Sequence, residues 1–178
     1  MTTSRYHIIN NAQPHFLTCT VSEWQPVFAY AQYRDIVIES LSFLIRTRDL
    51  RVHAYVIMEN HLHLIASSDT LEKQIARFRS YTARRIIDLL KVSSRSTILE
   101  LCGRKGMARR ADRTHAFWAS GVHPESIRDH NMLTQKIVYI HNNPVRRGYV
   151  DDATHWRYSS ARIYRGFPGE LDIEILGM

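Results

Sequence analysis

The chain has 178 residues, 44% hydrophobic and 23% charged, which is material for one globular domain with a substantial core. Lys and Arg number 24 against 17 Asp and Glu, so the formal net charge is +7 and polyanionic partners are favoured. There is no apolar run of membrane-spanning length, and the N-terminal MTTSRYHIINNAQ has no apolar stretch of a secretory signal. The two cysteines, Cys19 and Cys102, form no CxxC pair, which argues against a thiolate zinc centre or a disulfide framework and fits a reduced, cytoplasmic protein.

Residues 15–21, HFLTCTV, are β-prone and alternate, and predict a first strand. Residues 29–48 carry Tyr30, Tyr33, Ile36, Val37, Leu41, Leu44 and Ile45 at helical spacing, just after Pro26. Residues 52–58 and 61–67, separated by Glu59-Asn60, predict a β-hairpin. The second of these strands is apolar on both faces and is expected at the centre of the sheet. Residues 71–90 form an amphipathic helix with Leu71, Ile75, Phe78, Ile86, Leu89 and Leu90 toward one side and Lys73, Arg77, Arg79, Arg84 and Arg85 on the other. Residues 91–113 break the pattern and read as a basic loop holding Arg104, Lys105, Arg109, Arg110 and Arg113. Residues 114–119, THAFWA, are the candidate last strand. A further helix over 130–143 is expected to stop at Pro144. The tail, 144–178, has turn signals and aromatic anchors at Trp156, Tyr158 and Tyr164. The order β, α, β, β, α, β plus an appended helix predicts an α+β, ferredoxin-like sandwich in a single domain, 1–178.

Two features carry chemistry. His61 and His63 are one residue apart, which on a strand puts both imidazoles on one face, about 7 Å apart at the backbone. They can share a divalent ion, with Leu62 pointing into the core. The same spacing also suits two ordinary histidines, and a metal site needs a third protein ligand. On the last helix, Leu133, Ile137 and Ile140 share an apolar stripe. Tyr139 and Asn143, four residues apart, lie one above the other on an adjacent face. A phenol and a carboxamide presented together can serve as nucleophile and ligand. Taken alone the helix reads first as carrying a rim tyrosine with its hydroxyl in water and a helix-end residue before proline. Arg146 and Arg147, just past the helix, are placed for phosphate.

The segment MENHLHLIASS resembles the His-hydrophobe-His motif of the HUH single-tyrosine transposases. KIVYIHNNPVRRGYV followed by HWRYSSARIY resembles the C-terminal signature of the REP-associated tyrosine transposases and their insertion-sequence relatives. HFLTCTVSEWQPVF and FWASGVHPESIRD are similar to that group as well, so the resemblance spans most of the chain in the right order. It implies metal ligation by His61, His63 and Asn143, where the insertion-sequence relatives carry Gln in place of Asn. It implies Tyr139 as the nucleophile. Glu59 stands where the family pattern has Pro.

The resemblance further implies a Mg²⁺- or Mn²⁺-dependent enzyme of DNA transposition and recombination. Such an enzyme cuts and rejoins single-stranded DNA next to a hairpin through a 5′-phosphotyrosine. The expected setting is the bacterial cytoplasm, at the nucleoid, with no membrane partner. A phenol ionises near pH 10 in water, so the ion is the agent expected to favour phenolate, no general base being evident from the sequence. Arg77, Arg84, Arg85, Arg104, Lys105, Arg109, Arg110, Arg146 and Arg147 are the candidate DNA contacts. The assembly expected from such relatives is a monomer or a helix-swapped homodimer. Three other readings remain: a domesticated hairpin-binding protein without cleavage activity, a phosphodiesterase that uses water with Tyr139 structural, and a plain interaction domain. If Tyr139 is not the nucleophile, Tyr81 on the basic helix is the next candidate.

Overall fold

A computed structural model describes residues 13–93, 117–122 and 124–177. Four antiparallel strands form one sheet: β1 (His15–Thr20), β2 (Arg51–Ile57), β3 (His61–Ser67) and β4 (Glu125–Ser126), in the order β2-β3-β1-β4. Helix α1 (Ala31–Arg48) connects β1 to β2, and helix α2 (Leu71–Val92) follows β3. This is the split βαβ arrangement of a ferredoxin-like sandwich, as the element order predicts. A third helix, α3 (His130–Arg146), and a C-terminal tail are added to it. Among the described residues no helix is long and apolar enough to cross a membrane.

β3 lies between β1 and β2 and is buried along its whole length. Its alternation divides the interior in two. Leu62, Leu64 and Ala66 face the cluster made with α1 and α2, which includes Leu17, Leu41, Phe78 and Ile86. On the other face Ile65 packs with Phe16, Ala54, Val56 and Met58 against Leu133, Ile137 and Ile140 of α3. The period-2 geometry of a strand thus sends Leu62 to one core and its two histidine neighbours to the opposite face.

The tail covers the outer edge of β2. Ile57 N donates to Tyr158 O at 2.9 Å, Glu174 N donates to Val52 O at 2.9 Å, and Val56 bridges Ser159. Its aromatics pin it down: Trp156 Nε1 donates to Ile57 O at 3.0 Å, and Tyr164 Oη donates to His53 O at 3.0 Å. Tyr158 Oη donates to Asp35 at 2.8 Å. An exposed strand edge is thereby closed to a second chain.

Two boundaries differ from the sequence reading. The fourth strand of the sheet is the two-residue β4, not 114–119. Residues 114–116 lie outside the described residues, and Phe117–Ala119 make only an isolated bridge, Trp118 opposite Val21. Phe117 and Trp118 are consecutive and both buried, so they fill a corner of the core instead of alternating as a strand would. β4 is too short and polar to leave a hydrophobic pattern. The second difference is Pro144, which lies inside α3 instead of ending it. Proline removes one N–H, yet the last turn continues through Arg147 N donating to Asn143 O at 3.1 Å, and the buried ring packs on the sheet side. The basic loop at 91–113 falls almost wholly outside the described residues, as does Cys102.

Candidate active site

The site forms where α3 crosses the sheet. Asp129 caps the helix by accepting from Met132 N at 2.8 Å. The stripe Leu133, Ile137, Ile140 and Pro144 is buried on the sheet. That docking turns the adjacent stripe, Tyr139 and Asn143, onto the histidine face of β3. The result is an open cleft of about 390 Å³ lined by Thr18, Thr20, Trp24, His61, His63, Tyr139, Asn143, Arg146 and Arg147. The four residues singled out from the sequence therefore share one cavity. Tyr139, 40% exposed, sets its hydroxyl 3.4 Å from His63 Nε2, a long contact. Its ring meets His63 edge-on at 5.2 Å and Phe16 at 6.0 Å.

Both histidines are held from behind. His61 Nδ1 donates to Asn60 Oδ1 at 2.7 Å. The Asn60 amide is itself oriented by Nδ2 donating to the Trp24 carbonyl at 3.4 Å. Since Asn60 Oδ1 only accepts, the proton of His61 is on Nδ1 and the lone pair on Nε2. His63 Nδ1 pairs with Thr18 Oγ1 at 2.9 Å, which directs its Nε2 to the cleft and to Tyr139. Burial pushes His63 down to about 3, with the charges of His61 and Lys136 adding to it. Burial also holds His61 below the usual imidazole range, against an opposing pull from Glu59. Both rings are thus neutral near pH 7, the state that ligates a metal.

These features fit a divalent ion. Two fixed, neutral imidazoles 4.6 Å apart between ring centroids stand in a cleft that also holds the Asn143 carboxamide. Among the described residues no cluster of three His, Cys, Asp or Glu side chains could hold a metal, and among them the third donor nearest this pair in kind is that amide oxygen, which lines the same cleft.

The remaining candidates divide. Arg146 and Arg147 line the cleft, and Arg147 also pairs with Glu59 at 3.5 Å across the β2–β3 turn. Glu59, the departure from the family pattern, therefore ties the end of α3 to the hairpin. Arg77, Arg84 and Arg85 are exposed on α2, which packs on the opposite face of the sheet. Arg104, Lys105, Arg109 and Arg110 lie outside the described residues. Sequence reasoning missed Thr18, Thr20 and Trp24 and read Asn60 only as a turn. The alternation of Thr18 and Thr20 in β1 was a signal, but its meaning depends on the register that sets them opposite His63 and His61.

No known family model matches the chain. A Haemophilus influenzae protein named as a REP-associated tyrosine transposase is 28% identical over 131 residues, 70% of either chain. A solved structure of a REP-associated tyrosine transposase bound to a REP hairpin aligns with a TM-score of 0.67. It covers 100% of this chain and 95% of its own, at 18% identity. Sequence and fold both resemble those of the REP-associated tyrosine transposases. The whole ferredoxin-like body of this transposase-like chain, with α3 and the tail, takes part in the structural match. In this chain the cleft lies where β3 and α3 of that fold meet.

Proposed function

We propose that this chain is a divalent-metal-dependent transposase that cuts and rejoins single-stranded DNA beside a hairpin. The observation that carries the reading is the Tyr139 hydroxyl 3.4 Å from His63 Nε2, in one cleft with His61 and Asn143. The resemblance to a REP-associated transposase bound to a REP hairpin supplies the substrate class. Mg²⁺ or Mn²⁺ held by His61, His63 and Asn143 would supply Lewis-acid polarisation of the scissile phosphate, nitrogen donors favouring Mn²⁺.

The chain's own residues do the rest. Tyr139 Oη attacks phosphorus, its proton passing to water in the open cleft. The Oη–P bond forms, the P–O3′ bond breaks, and the 3′ oxygen leaves as a hydroxyl after taking up a proton. The 5′-phosphate stays on Tyr139, so a DNA 3′-hydroxyl can reverse the step without ATP. Thr18 and Asn60 keep the imidazoles aimed, and Arg146 and Arg147 hold flanking phosphates.

The test is a denaturing gel of protein incubated with labelled hairpin DNA and Mn²⁺. A covalent adduct is expected, lost in Tyr139→Phe and in chelator. An adduct that survives Tyr139→Phe transfers the role to another tyrosine, with Tyr81 the first to examine. Strand cleavage that survives Tyr139→Phe with no adduct at any time identifies a hydrolytic phosphodiesterase. Hairpin binding unchanged in chelator, with no cleavage under any metal, identifies a binding protein without the chemistry.

A further inference from the structure

Trp24 is 63% exposed and lines the cleft, although apolar surface of that size is normally buried. Its backbone explains how it is kept there. Glu23 and Trp24 have φ of 54° and 55°, two successive side-chain-bearing residues in the left-handed region. L-residues other than Asn and Asp rarely adopt that conformation, and such positions gather at sites where geometry serves function. The surrounding hydrogen bonds fix it. Val21 N donates to Asn60 O at 2.8 Å, Trp24 N to Val21 O at 3.1 Å, and Phe28 N to Glu59 O at 2.8 Å. The Trp24 carbonyl accepts from the same Asn60 amide that orients His61. The indole stands edge-on to the His61 ring, 6.3 Å between centroids, with Arg146 and Arg147 lining the same cavity. An exposed indole beside cations in an open cleft is the composition that receives an unpaired base.

We propose that Trp24 is a nucleobase-stacking platform, taking the base of the nucleotide next to the phosphate that sits over His61 and His63. This rests on the single-stranded DNA reading above and deepens it: the subsite recognises a flanking unpaired base by its face. Trp118 is buried and Trp156 is partly buried with its Nε1 bonded to Ile57 O, so Trp24 is the indole whose emission answers to DNA in the cleft.

The experiment titrates the full chain with a REP-type hairpin DNA carrying single-stranded flanks, following intrinsic fluorescence alongside the covalent-adduct assay. The wild type is expected to be quenched on binding. Trp24→Phe should keep affinity within a few-fold but lose the quench, since phenylalanine stacks without indole emission. Trp24→Ala should weaken binding roughly tenfold. One abasic position in the flank should weaken the wild type and leave Trp24→Ala unaffected. Mn²⁺ binding by each variant checks that the site is folded. Adduct formation without quenching, a quench that persists in Trp24→Phe, or Trp24→Ala binding like wild type overturns the stacking role and leaves the transposase reading standing. No adduct and no binding by the wild type overturns both.

Discussion

His53 sits at a register shift in β2, where one extra residue interrupts the pairing with β3. Its buried ring is bonded at both nitrogens, Nε2 to Ser67 Oγ at 2.8 Å and Nδ1 to Glu174 O at 2.9 Å. It therefore joins a sheet strand to the tail. Burial holds its pKa below the usual 6.5, with Glu174 pulling the other way. The folded protein keeps the ring neutral where the unfolded chain takes up a proton. The stability this provides is complete above about pH 6.5 and is lost as pH falls through that value toward the folded pKa. The melting temperature should drop between pH 7 and 5. His53→Ala should cost about 2 kcal/mol at pH 7 by leaving the Ser67 hydroxyl and Glu174 carbonyl unpaired. The same variant should flatten the acid-side decline, and thermal melts at both pH values check both effects. Cys19, by contrast, is a buried thiol pushed up to about 11 by burial, and so is unreactive at neutral pH.

At the scale of elements, α3 decides whether the site is complete within one chain. Its buried stripe lies on its own sheet, its N-terminus is capped by Asp129, and its C-terminal end is tied to the β2–β3 turn by Arg147 and Glu59. Tyr139 thereby reaches the histidines of the same chain. Mixing Tyr139→Phe protein with His63→Ala protein should then fail to restore adduct formation. In a helix-exchanged dimer one composite site would join an intact tyrosine helix to an intact histidine strand. Recovery of adduct in the mixture would show exchange. Sedimentation of each protein alone, expected to give a monomer, provides the independent check.

Across the whole molecule, described cations stand on both sides of the sheet, Arg146 and Arg147 at the cleft and Arg77, Arg84 and Arg85 on α2, so charge alone does not mark the binding face. Arg146 lines the cleft, whereas Arg84 is exposed on α2 behind the sheet. Affinity for hairpin DNA should fall linearly with salt on logarithmic axes. Arg146→Ala should lower the slope by about 0.7 to 0.9, the share of one phosphate contact. It should also weaken binding evenly across flank sequences, while Arg84→Ala changes the slope less. Titrations at several salt concentrations separate the two, and equal slopes for both variants would remove the cleft from its place as the main electrostatic contact.

Local sequence carries the order of elements as far as α2, the amphipathic faces of α2 and α3, and the placing of His61 and His63 on one strand face. These depend on local periodicity and on the two-residue repeat of a strand, which neighbouring residues encode. It also held Tyr139 and Asn143 together, because four residues make one helical turn. That the two pairs meet is a matter of packing, since it depends on how Leu133, Ile137 and Ile140 rotate α3 on the sheet. The partners of the histidines were likewise beyond local reading. Thr18 reaches His63 through the β1–β3 register, and Asn60 is aimed by the carbonyl of Trp24, remote in sequence. β4 and the persistence of α3 through Pro144 were set by pairing and burial, which override short-range preference where a segment is only a few residues long.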